Sequence, residues 1–194
     1  IGEVFKKFAV SDIKPGDMFV GNDPYNGGGT HLNDITIAAP IFASNGKLIG
    51  WAANLAHHSD IGGKEPGSTC GDAVSIFQEG LKIPLVRICR NGEPIADIVD
   101  FILCNSRIPN ERYGDLQAQI AANRVGARRL QDAYTRYGDL LIDCMHELQN
   151  YAERRLRAGI RNLKDGEYSF IDYMDDAGVA SPDPVKICVK ITIK

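Results

Sequence analysis

Three of the four histidines in this chain fall in two short stretches that also carry aspartates. The first stretch reads NDPYNGGGTHLND and covers residues 22–34, and the second reads HHSD and covers residues 57–60. Histidine nitrogens and carboxylate oxygens are suitable ligands for zinc, manganese or iron. The same residue types are ordinary turn formers, so they leave a metal site and a polar turn both open. The candidate ligands are Asp23, His31, Asp34, His57 and His58.

A predicted β-hairpin connects the two stretches. ITIAAPIF and KLIGWAANLA are apolar, strand-like runs, and Asn45-Gly46 between them favours a two-residue turn. With that turn, Asp34 lies opposite His57 on the same face of the hairpin. A slip of one residue would bring His58 there instead. In either register a carboxylate and an imidazole meet, which favours a metal site at the open end of the hairpin.

The chemistry of such a site depends on its other ligands. His31 converges with Asp34 only if residues 30–33 turn, which the sequence GGGTHLN favours. With no thiolate nearby, histidines and aspartates predict an open, hydrated site that could acidify bound water or polarise a carbonyl. Asp23 is either a further ligand or a residue that orients a ligating imidazole. Glu79, in SIFQEGLKIP, is a candidate general base, with a solvated turn residue as the alternative.

Other polar motifs carry less specific signals. GGGT lacks the lysine and hydroxyl residue of a P-loop, so turn glycines are preferred to a phosphate site. Arg107, Asn110 and Arg112, in NSRIPNERYGD, could bind a carboxylate substrate or a partner chain, with helix capping as the alternative. Cys70 lies near the histidines, but no motif supports a Cys–His nucleophile.

The first part of the chain is predicted to be mostly β-structure. Residues 1–8 suit the end of a helix, and MFV begins a short strand. Pro40 argues against a central, fully paired position for the first hairpin strand. Residues 61–80 are rich in glycine and are predicted to form a long functional loop. IPLVRI and IADIVDFIL are predicted to be further strands.

Two long helices are predicted in the second half. Residues 111–136 and 140–163 have apolar positions at helical spacing and predict a long αα-hairpin. Gly138 is the predicted helix stop, and Asp139 is the predicted N-cap of the next helix. DGEYSFIDYMDD and PVKICVKITIK then return to strand alternation.

The order strands, helices, strands predicts an α+β fold with an antiparallel or mixed sheet, glycine-rich loops and the αα-hairpin. The predicted division is a mostly β metal-site region over residues 1–110, the αα-hairpin over 111–163, and return strands over 164–194. Both ends look cut, which predicts a fragment of a larger subunit.

Composition excludes several functions. The 194 residues carry a net charge of −3 and are 44% hydrophobic, so neither nucleic acid nor membrane is an expected partner. The five cysteines are scattered and odd in number, which predicts reduced, mostly buried thiols in a cytoplasmic protein.

The motifs together resemble a known family. NDPYNGGGTHLNDI, AANLAHHSDIGG with PGS, SIFQEGLKIP and GDLQAQIAANRVGARRL occur here in that order. They are similar to motifs of the hydantoinase B/oxoprolinase family, which includes N-methylhydantoinase B subunits and related subunits of acetone carboxylases. The resemblance runs from about Asp17 to Arg136, with a weaker continuation to the end of the chain.

The resemblance implies a function for the site. It implies ATP-dependent opening of a cyclic amide, such as hydantoin or 5-oxoproline, within a hetero-oligomer. A hydantoinase A-type subunit or domain would use ATP and magnesium, and the B-type part would complete the reaction at a divalent manganese, zinc or iron ion. On this basis His31, Asp34 and one of His57 and His58 are candidate metal ligands, with Asp23 as an addition.

Two alternatives stay open. The first is a subunit of an ATP-dependent ketone carboxylase of the acetone type, in which the same metal would hold an enolate. The second is a non-catalytic assembly fragment that docks through its αα-hairpin. Measuring bound metal would distinguish the hydrolase and the carboxylase, which are both expected to bind it, from the non-catalytic assembly fragment.

Overall fold

The structure is a computed structural model that describes residues 1–26, 29–178 and 181–194. It divides into two compact units, residues 1–136 and residues 137–194. The elements of the first unit are α1 (Gly2–Lys7), β1 (Met18–Gly21), β2 (Asp34–Phe42), β3 (Leu48–His57), β4 (Val86–Arg90), β5 (Glu93–Pro94), α2 (Ala96–Leu103) and α3 (Pro109–Tyr137). α3 ends one residue beyond the first unit.

The first unit is built on one five-stranded sheet. Its strand order is β3-β2-β1-β4-β5, and every neighbouring pair is antiparallel. The predicted α+β class and antiparallel sheet are therefore confirmed. The predicted loop at residues 61–80 is also present, interrupted by the 3₁₀ turns Pro66–Ser68 and Ile76–Gln78.

The β2–β3 hairpin has the predicted register, although its turn differs from the prediction. Ala43 N–H donates to the Lys47 carbonyl and Gly46 N–H donates to the Ala43 carbonyl, so the loop has three residues rather than two. Gly46 occupies the left-handed region with φ at 81°, which is typical of a three-residue hairpin loop closed by a glycine bulge.

A second irregularity compensates for the first. Phe42 pairs with Leu48 but Ile41 pairs with Gly50, so Ile49 is an extra residue on β3. The bulge at Ile49 returns the pairing to the predicted register. Asp34 consequently pairs with His57, as expected from the shorter turn.

The position of Pro40 agrees with the expectation that its strand is not central and fully paired along its length. β2 is an interior strand of the sheet, but it is paired on both sides over only part of its length. Its pairing with β1 stops at Ala38, so Pro40 is paired on the β3 side alone. A residue without an N–H is tolerated there because no ladder bond is needed on the second side.

Helix α3 covers one face of the hairpin. Gln119 and Asn123 donate side-chain hydrogen bonds to the β2 carbonyls of Ile35 and Ile37, at 2.9 Å each. Further along, Gln131 donates to the Phe42 carbonyl at 2.9 Å. These residues recur at helical spacing, so α3 runs along β2 from its first residues to its last. The apolar core between helix and sheet includes Val20, Ile35, Ile37, Ile88, Leu116 and Ile120.

A smaller aromatic cluster covers part of the opposite face. Phe5 of α1 packs edge-on against Trp51, with ring centres 5.5 Å apart. Phe8 packs on Phe19 of β1 at 4.9 Å. This packing covers the turn end of the hairpin and leaves Leu55 and His57, near the other end, exposed.

The segment IADIVDFIL was wrongly predicted to be a strand. Residues 96–103 form helix α2, and Val99 and Ile102 are its buried side chains. Its β-branched composition favours a strand, but its apolar residues also fit helical spacing, and the exposed Asp97 and Asp100 lie on the solvent side. The segment is a helix because that conformation buries Val99 and Ile102 on one face.

The second unit contains α4 (Asp139–Ile160), β6 (Gly166–Met174) and β7 (Val185–Ile193), with β6 and β7 paired as an antiparallel ribbon. The two long helices and both return strands were predicted correctly, while the packing of the helices as a hairpin stays a prediction. Gly138, with φ at 57°, is the N-cap of α4, and Asp139 is its first helical residue rather than its cap.

The ribbon is amphipathic. Because residue pairs share a face, one face contains only apolar side chains apart from Asp172 and Gly166. The other face is mainly polar and includes an ion pair of 2.9 Å between Lys190 and Glu167. On the apolar face, the exposed large side chains are Tyr168, Phe170, Met174, Ile187, Val189 and Ile191.

All five cysteines are free, as predicted. The expectation that most are buried is wrong, because only Cys89 is buried and Cys104, Cys144 and Cys188 are exposed. Burial raises the pKa of the Cys89 thiol to about 11, so it is an inert core residue. No helix in the described part of the chain has the length and apolar character needed to cross a bilayer.

Candidate metal-binding site

The open end of the β2–β3 hairpin brings two of the histidines together. Asp34 pairs with His57 across the strands. The rings of His31 and His57 lie with their centres 5.2 Å apart and their planes inclined by 30°. The tight turn that the convergence requires is present, because Asp34 N–H donates to the His31 carbonyl at 3.0 Å. The prediction of a turn in the preceding glycine run falls partly on residues 27 and 28, which lie outside the described residues.

The spacing of the two imidazoles can be compared with that of a shared ion. Two imidazoles bonded to one tetrahedral ion at about 2.0–2.1 Å have their ring centres roughly 5 Å apart. The His31–His57 separation of 5.2 Å agrees with that value. Within residues 1–26, 29–178 and 181–194, no three His, Cys, Asp or Glu side chains are grouped closely enough to hold an ion. The site is thus a pair of imidazoles with a carboxylate on the adjoining strand.

His58 has a different environment from His57. Successive residues of a strand point to opposite faces, and His58 is 1% exposed while His57 is exposed. The Nε2 atom of His58 is 2.9 Å from Oε1 of Gln119 in α3. Burial lowers the pKa of His58, against the opposing effect of that hydrogen bond. Of the two alternatives from the sequence, His57 is the histidine that faces His31.

Asn33 fixes the turn against the end of β3. His58 N–H donates to the Asn33 carbonyl, and the Asn33 side-chain amide donates to the His58 carbonyl, both at 2.8 Å. Asn22 holds the other side of the turn by donating to the Leu32 carbonyl at 2.6 Å. Asn22 and Asn33 are both fully buried. They position the turn that carries His31 and Asp34.

The Asp23 carboxylate forms hydrogen bonds within its own loop. It accepts hydrogen bonds from Asn26 Nδ2 at 2.7 Å and from Tyr25 N–H at 3.1 Å, and Lys82 lies 3.6 Å away. The Asn26 amide, the Tyr25 N–H and the Lys82 charge together lower the pKa of Asp23, although burial opposes them. The carboxylate is therefore ionised and oriented by neighbours, and its predicted role as a ligand or orienting residue stays a prediction.

Glu79 lies beside the glycine-rich loop. It follows the 3₁₀ turn Ile76–Gln78, and its backbone carbonyl is close against Gly63, where an added Cβ would lie 2.8 Å from that oxygen. The side chain is half-buried. Its role as a general base stays a prediction.

Asp60 anchors the loop that follows the histidines. Its carboxylate accepts from the N–H groups of Gly62, Gly67 and Arg107 and from the Arg107 guanidinium, at 2.9–3.1 Å. Burial by itself raises the pKa of Asp60, but these hydrogen bonds outweigh it and lower the pKa to about 2. Arg107, predicted to bind a carboxylate substrate or a partner chain or to cap a helix, instead forms an ion pair with Asp60 of the chain itself.

The supporting residues were not predicted from the sequence. Asn33 and Gln119 are separated along the chain, and their contacts arise only when α3 packs on the hairpin. One signal was available, because Gln119 and Asn123 fall on the same helical face as Leu116 and Ile120. Polar residues at core-facing positions of a helix are candidates for buried hydrogen bonds to a neighbouring element.

Comparison with known proteins adds the family context. The family model for hydantoinase B/oxoprolinase matches residues 1–194. The chain is 37% identical over 184 residues to the B-type subunit of a putative D-/L-hydantoinase from Pseudomonas sp. (strain NS671), covering 92% of this chain and 30% of that one. It is 34% identical over 191 residues to the 5-oxoprolinase of Dictyostelium discoideum, covering 94% of this chain and 14% of the relative.

Two solved structures have the same fold. The ATP-dependent caprolactamase from Pseudomonas jessenii superimposes with a TM-score of 0.89 and 32% identity, covering 100% of this chain and 34% of that chain. Nucleotide-free acetone carboxylase superimposes with a TM-score of 0.77 at 22% identity, covering 96% and 26%. The second likeness concerns the fold alone. The chain spans about a third or less of each of these relatives.

Proposed function

Because the chain belongs to the hydantoinase B/oxoprolinase family, we propose that it is the metal-bearing part of an ATP-dependent cyclic-amide hydrolase. Two relatives above 30% identity that cover nearly the whole chain are named as hydrolases of cyclic amides, a 5-oxoprolinase and an ATP-dependent caprolactamase. The observation that carries the proposal is the convergence of His31 and His57, 5.2 Å apart, beside Asp34.

The proposed ligands are His31, His57 and Asp34. The ring centres of the two imidazoles are separated by a distance compatible with one shared ion, and the carboxylate of Asp34, which pairs with His57, is proposed to complete the set. A divalent manganese, zinc or iron ion held there would polarise a carbonyl or lower the pKa of bound water. Ligands of this type leave positions open for a substrate, in contrast to a closed structural site.

The surroundings of the ligands suit a cyclic amide. Leu55 lies two residues before His57 on the same strand face, and its side chain is 54% exposed. It pairs with Thr36, which shares that face with Asp34. An apolar side chain next to polar ligands can contact the methylene groups of a lactam ring while the amide faces the imidazoles.

A hydantoinase A-type subunit or domain is the proposed partner. It would bind ATP and magnesium and phosphorylate the ring carbonyl oxygen. The chain described here would bind the activated ring, with Asp34 and His57 at the reacting amide and Glu79 as the proposed general base. The hydantoinase relative from Pseudomonas is named as one subunit of its enzyme, which supports a protein of more than one subunit.

The test is a reconstituted assay with an A-type partner. Hydantoin, 5-oxoproline and caprolactam are each supplied with ATP, and ring-opened product and ADP are measured. In a parallel assay, acetone and bicarbonate are supplied with ATP to test for carboxylation. We expect ring opening coupled to ATP use, with a decrease of roughly 100-fold or more in the Asp34→Asn variant.

The matched control for this assay is His146→Ala, which removes the fourth histidine from an exposed position on α4. Its activity should equal that of the wild type. Carboxylation of acetone without lactam hydrolysis would contradict the proposed hydrolase, as would full activity in Asp34→Asn.

A further inference from the structure

Gln119 of α3 makes three side-chain hydrogen bonds beneath the candidate site. Its Nε2 donates to the Ile35 carbonyl at 2.9 Å and to Oδ1 of Asn54 at 2.8 Å. Its Oε1 is 2.9 Å from Nε2 of His58. Gln119 is 5% exposed. One side chain of α3 thus contacts β2, β3 and the residue that follows β3.

The chemistry of these partners fixes the tautomer of His58. The Ile35 carbonyl can only accept, so it requires the Gln119 amide nitrogen on its side. The amide oxygen then faces His58, and an oxygen acceptor requires a protonated Nε2. His58 therefore donates its Nε2–H to Gln119. That nitrogen is a buried donor and is unavailable as a metal ligand.

The contact reaches the candidate ligands through the backbone. His58 directly follows His57, and its N–H and carbonyl are both bonded to Asn33, at 2.8 Å each. Asn33 lies in the turn between His31 and Asp34, and it is fully buried. A displacement of His58 would therefore move the backbone on both sides of the site.

We propose that Gln119 is a positioning residue for the site, which sets the separation of His31 and His57 through the buried side chain of His58. The inference rests on the proposed function only in that the positioned imidazoles are taken to bind a metal. Groups that hydrogen-bond directly to metal ligands typically change metal affinity by about 10–100-fold when they are removed. Gln119 acts through His58, which is not itself a ligand, so the lower end of that range is expected.

The chain contains a matched control one helical turn away. Asn123 is 2% exposed and donates to the Ile37 carbonyl at 2.9 Å, the equivalent contact from α3 to β2. It is buried beside the core, and its described side-chain hydrogen bond goes to Ile37 rather than to His58. If Gln119 had a purely structural role, Gln119→Met and Asn123→Leu would have similar effects on metal affinity and on the histidine spectrum. If Gln119 positions the site, only Gln119→Met should change them.

The experiment has two readouts on the full chain. The first is titration of wild type, Gln119→Met and Asn123→Leu with Mn²⁺ or Co²⁺. We expect affinity to fall by about 10-fold or more in Gln119→Met and by less than 2-fold in Asn123→Leu. The second is the ¹H–¹⁵N spectrum of histidine side chains in metal-free chain labelled at its four histidines.

The spectrum is independent of the metal. We expect His58 as the Nε2–H tautomer in the wild type, and shifted His31 and His57 ring signals in Gln119→Met but not in Asn123→Leu. Absence of metal binding in the wild type would contradict the proposed function, and the spectrum would still decide the positioning role. Unchanged His31 and His57 signals in Gln119→Met, or an Nδ1–H tautomer of His58, would overturn the inference.

If Gln119→Met does not fold, Gln119→Asn is measured in the same way. Its amide is one methylene too short to bridge both strands and His58. Gln119→Asn should shift the His31 and His57 ring signals, whereas Asn123→Leu should not. Equal spectra for these two variants would overturn the inference.

Discussion

At the scale of single residues, the hairpin end is held by buried polar side chains. Asn22, Asn33, His58 and Asp60 are each at most 3% exposed. The side chains of Asn22, Asn33 and Asp60 hydrogen-bond to backbone groups, and that of His58 bonds to the Gln119 side chain. A buried polar group without a partner is costly, so such contacts define one arrangement of the loops. This explains how the turn at residues 31–34 and the end of β3 can hold two histidines at a fixed separation.

Asp60 gives a prediction of pH dependence. Its folded pKa of about 2 lies below its ordinary value of 3.8, so its ionised form stabilises the fold. That stabilisation is present above about pH 4 and is lost as the pH falls through 2. The shift corresponds to about 2 kcal/mol. We expect Asp60→Asn to lower the free energy of unfolding by about 2–3 kcal/mol at pH 7, measured by urea denaturation.

The pH series and a control complete this test. The difference between wild type and Asp60→Asn should shrink from pH 7 to pH 2, because the wild-type carboxylate becomes protonated. Asp100→Asn, at an exposed position of α2, should behave as the wild type throughout. A difference that grows as the pH falls would contradict the assignment.

At the scale of elements, register was predictable while local geometry was not. Asp34 and His57 pair as expected from a two-residue turn, but they reach that register through a three-residue loop and a bulge. The three-residue loop and the bulge at Ile49 have opposite effects on the register. They were not predicted because they do not change which residues pair further along the hairpin. The wrong strand at residues 96–103 has another cause, since a short apolar run fits both periods until packing selects one.

Two glycine substitutions test the backbone account of these elements. An added Cβ would meet nothing within 4 Å at either Gly46 or Gly114, so packing does not contribute. Gly46 has φ at 81°, and Gly46→Ala should lower the free energy of unfolding by roughly 1–2 kcal/mol. Gly114 is inside α3, and Gly114→Ala should raise it by roughly 0.5–1 kcal/mol.

Thermal and urea denaturation of the two variants measure these changes. Each variant is the control for the other, because both add the same methyl group in open space. Effects of the same sign would contradict the assigned conformations.

At the scale of the whole molecule, the two units differ in how much they bury. The first unit has an apolar core between its sheet and α3, and periodicity predicted its class and its other main elements but not helix α2. In the second unit, every residue of β6 is exposed. A ribbon of two strands without a covered face is marginally stable in water.

Hydrogen exchange should report this difference. Amides of β6 and β7 should exchange faster than those of β1 and β2 in the isolated chain, because opening the ribbon exposes little additional apolar surface. Exchange followed by mass spectrometry gives peptide-level rates. Equal protection of β6 and β2 would contradict the expectation.

The apolar ribbon face gives a further prediction at this scale. The exposed side chains of Phe170 and Val189 pair across it, and such patches bind apolar dyes. The double change Phe170→Ser and Val189→Ser should reduce fluorescence of bound ANS. Ser169→Ala and Lys190→Ala, on the polar face, are the control, and an equal reduction there would contradict the assignment of faces.

The approach of residues 31–34 to His57 was predictable from the sequence because one hairpin links the two stretches. The choice of His57 over His58 needed the structure, since it depends on the contact between His58 and Gln119. Asn33 and Gln119 could not be assigned roles before the helix was placed on the sheet. Contacts between residues that are linked by a local turn can be predicted from the sequence, whereas contacts that depend on tertiary packing cannot.

The measurement that tests the central claim most directly is the metal content of the purified chain, supplied with manganese, zinc or iron. The wild type and His146→Ala should each bind near one equivalent, and the double variant His31→Ala/Asp34→Ala should bind none while its circular dichroism is unchanged. Wild-type chain that binds no metal, or a double variant that binds as much as the wild type, would contradict a metal site at the hairpin end.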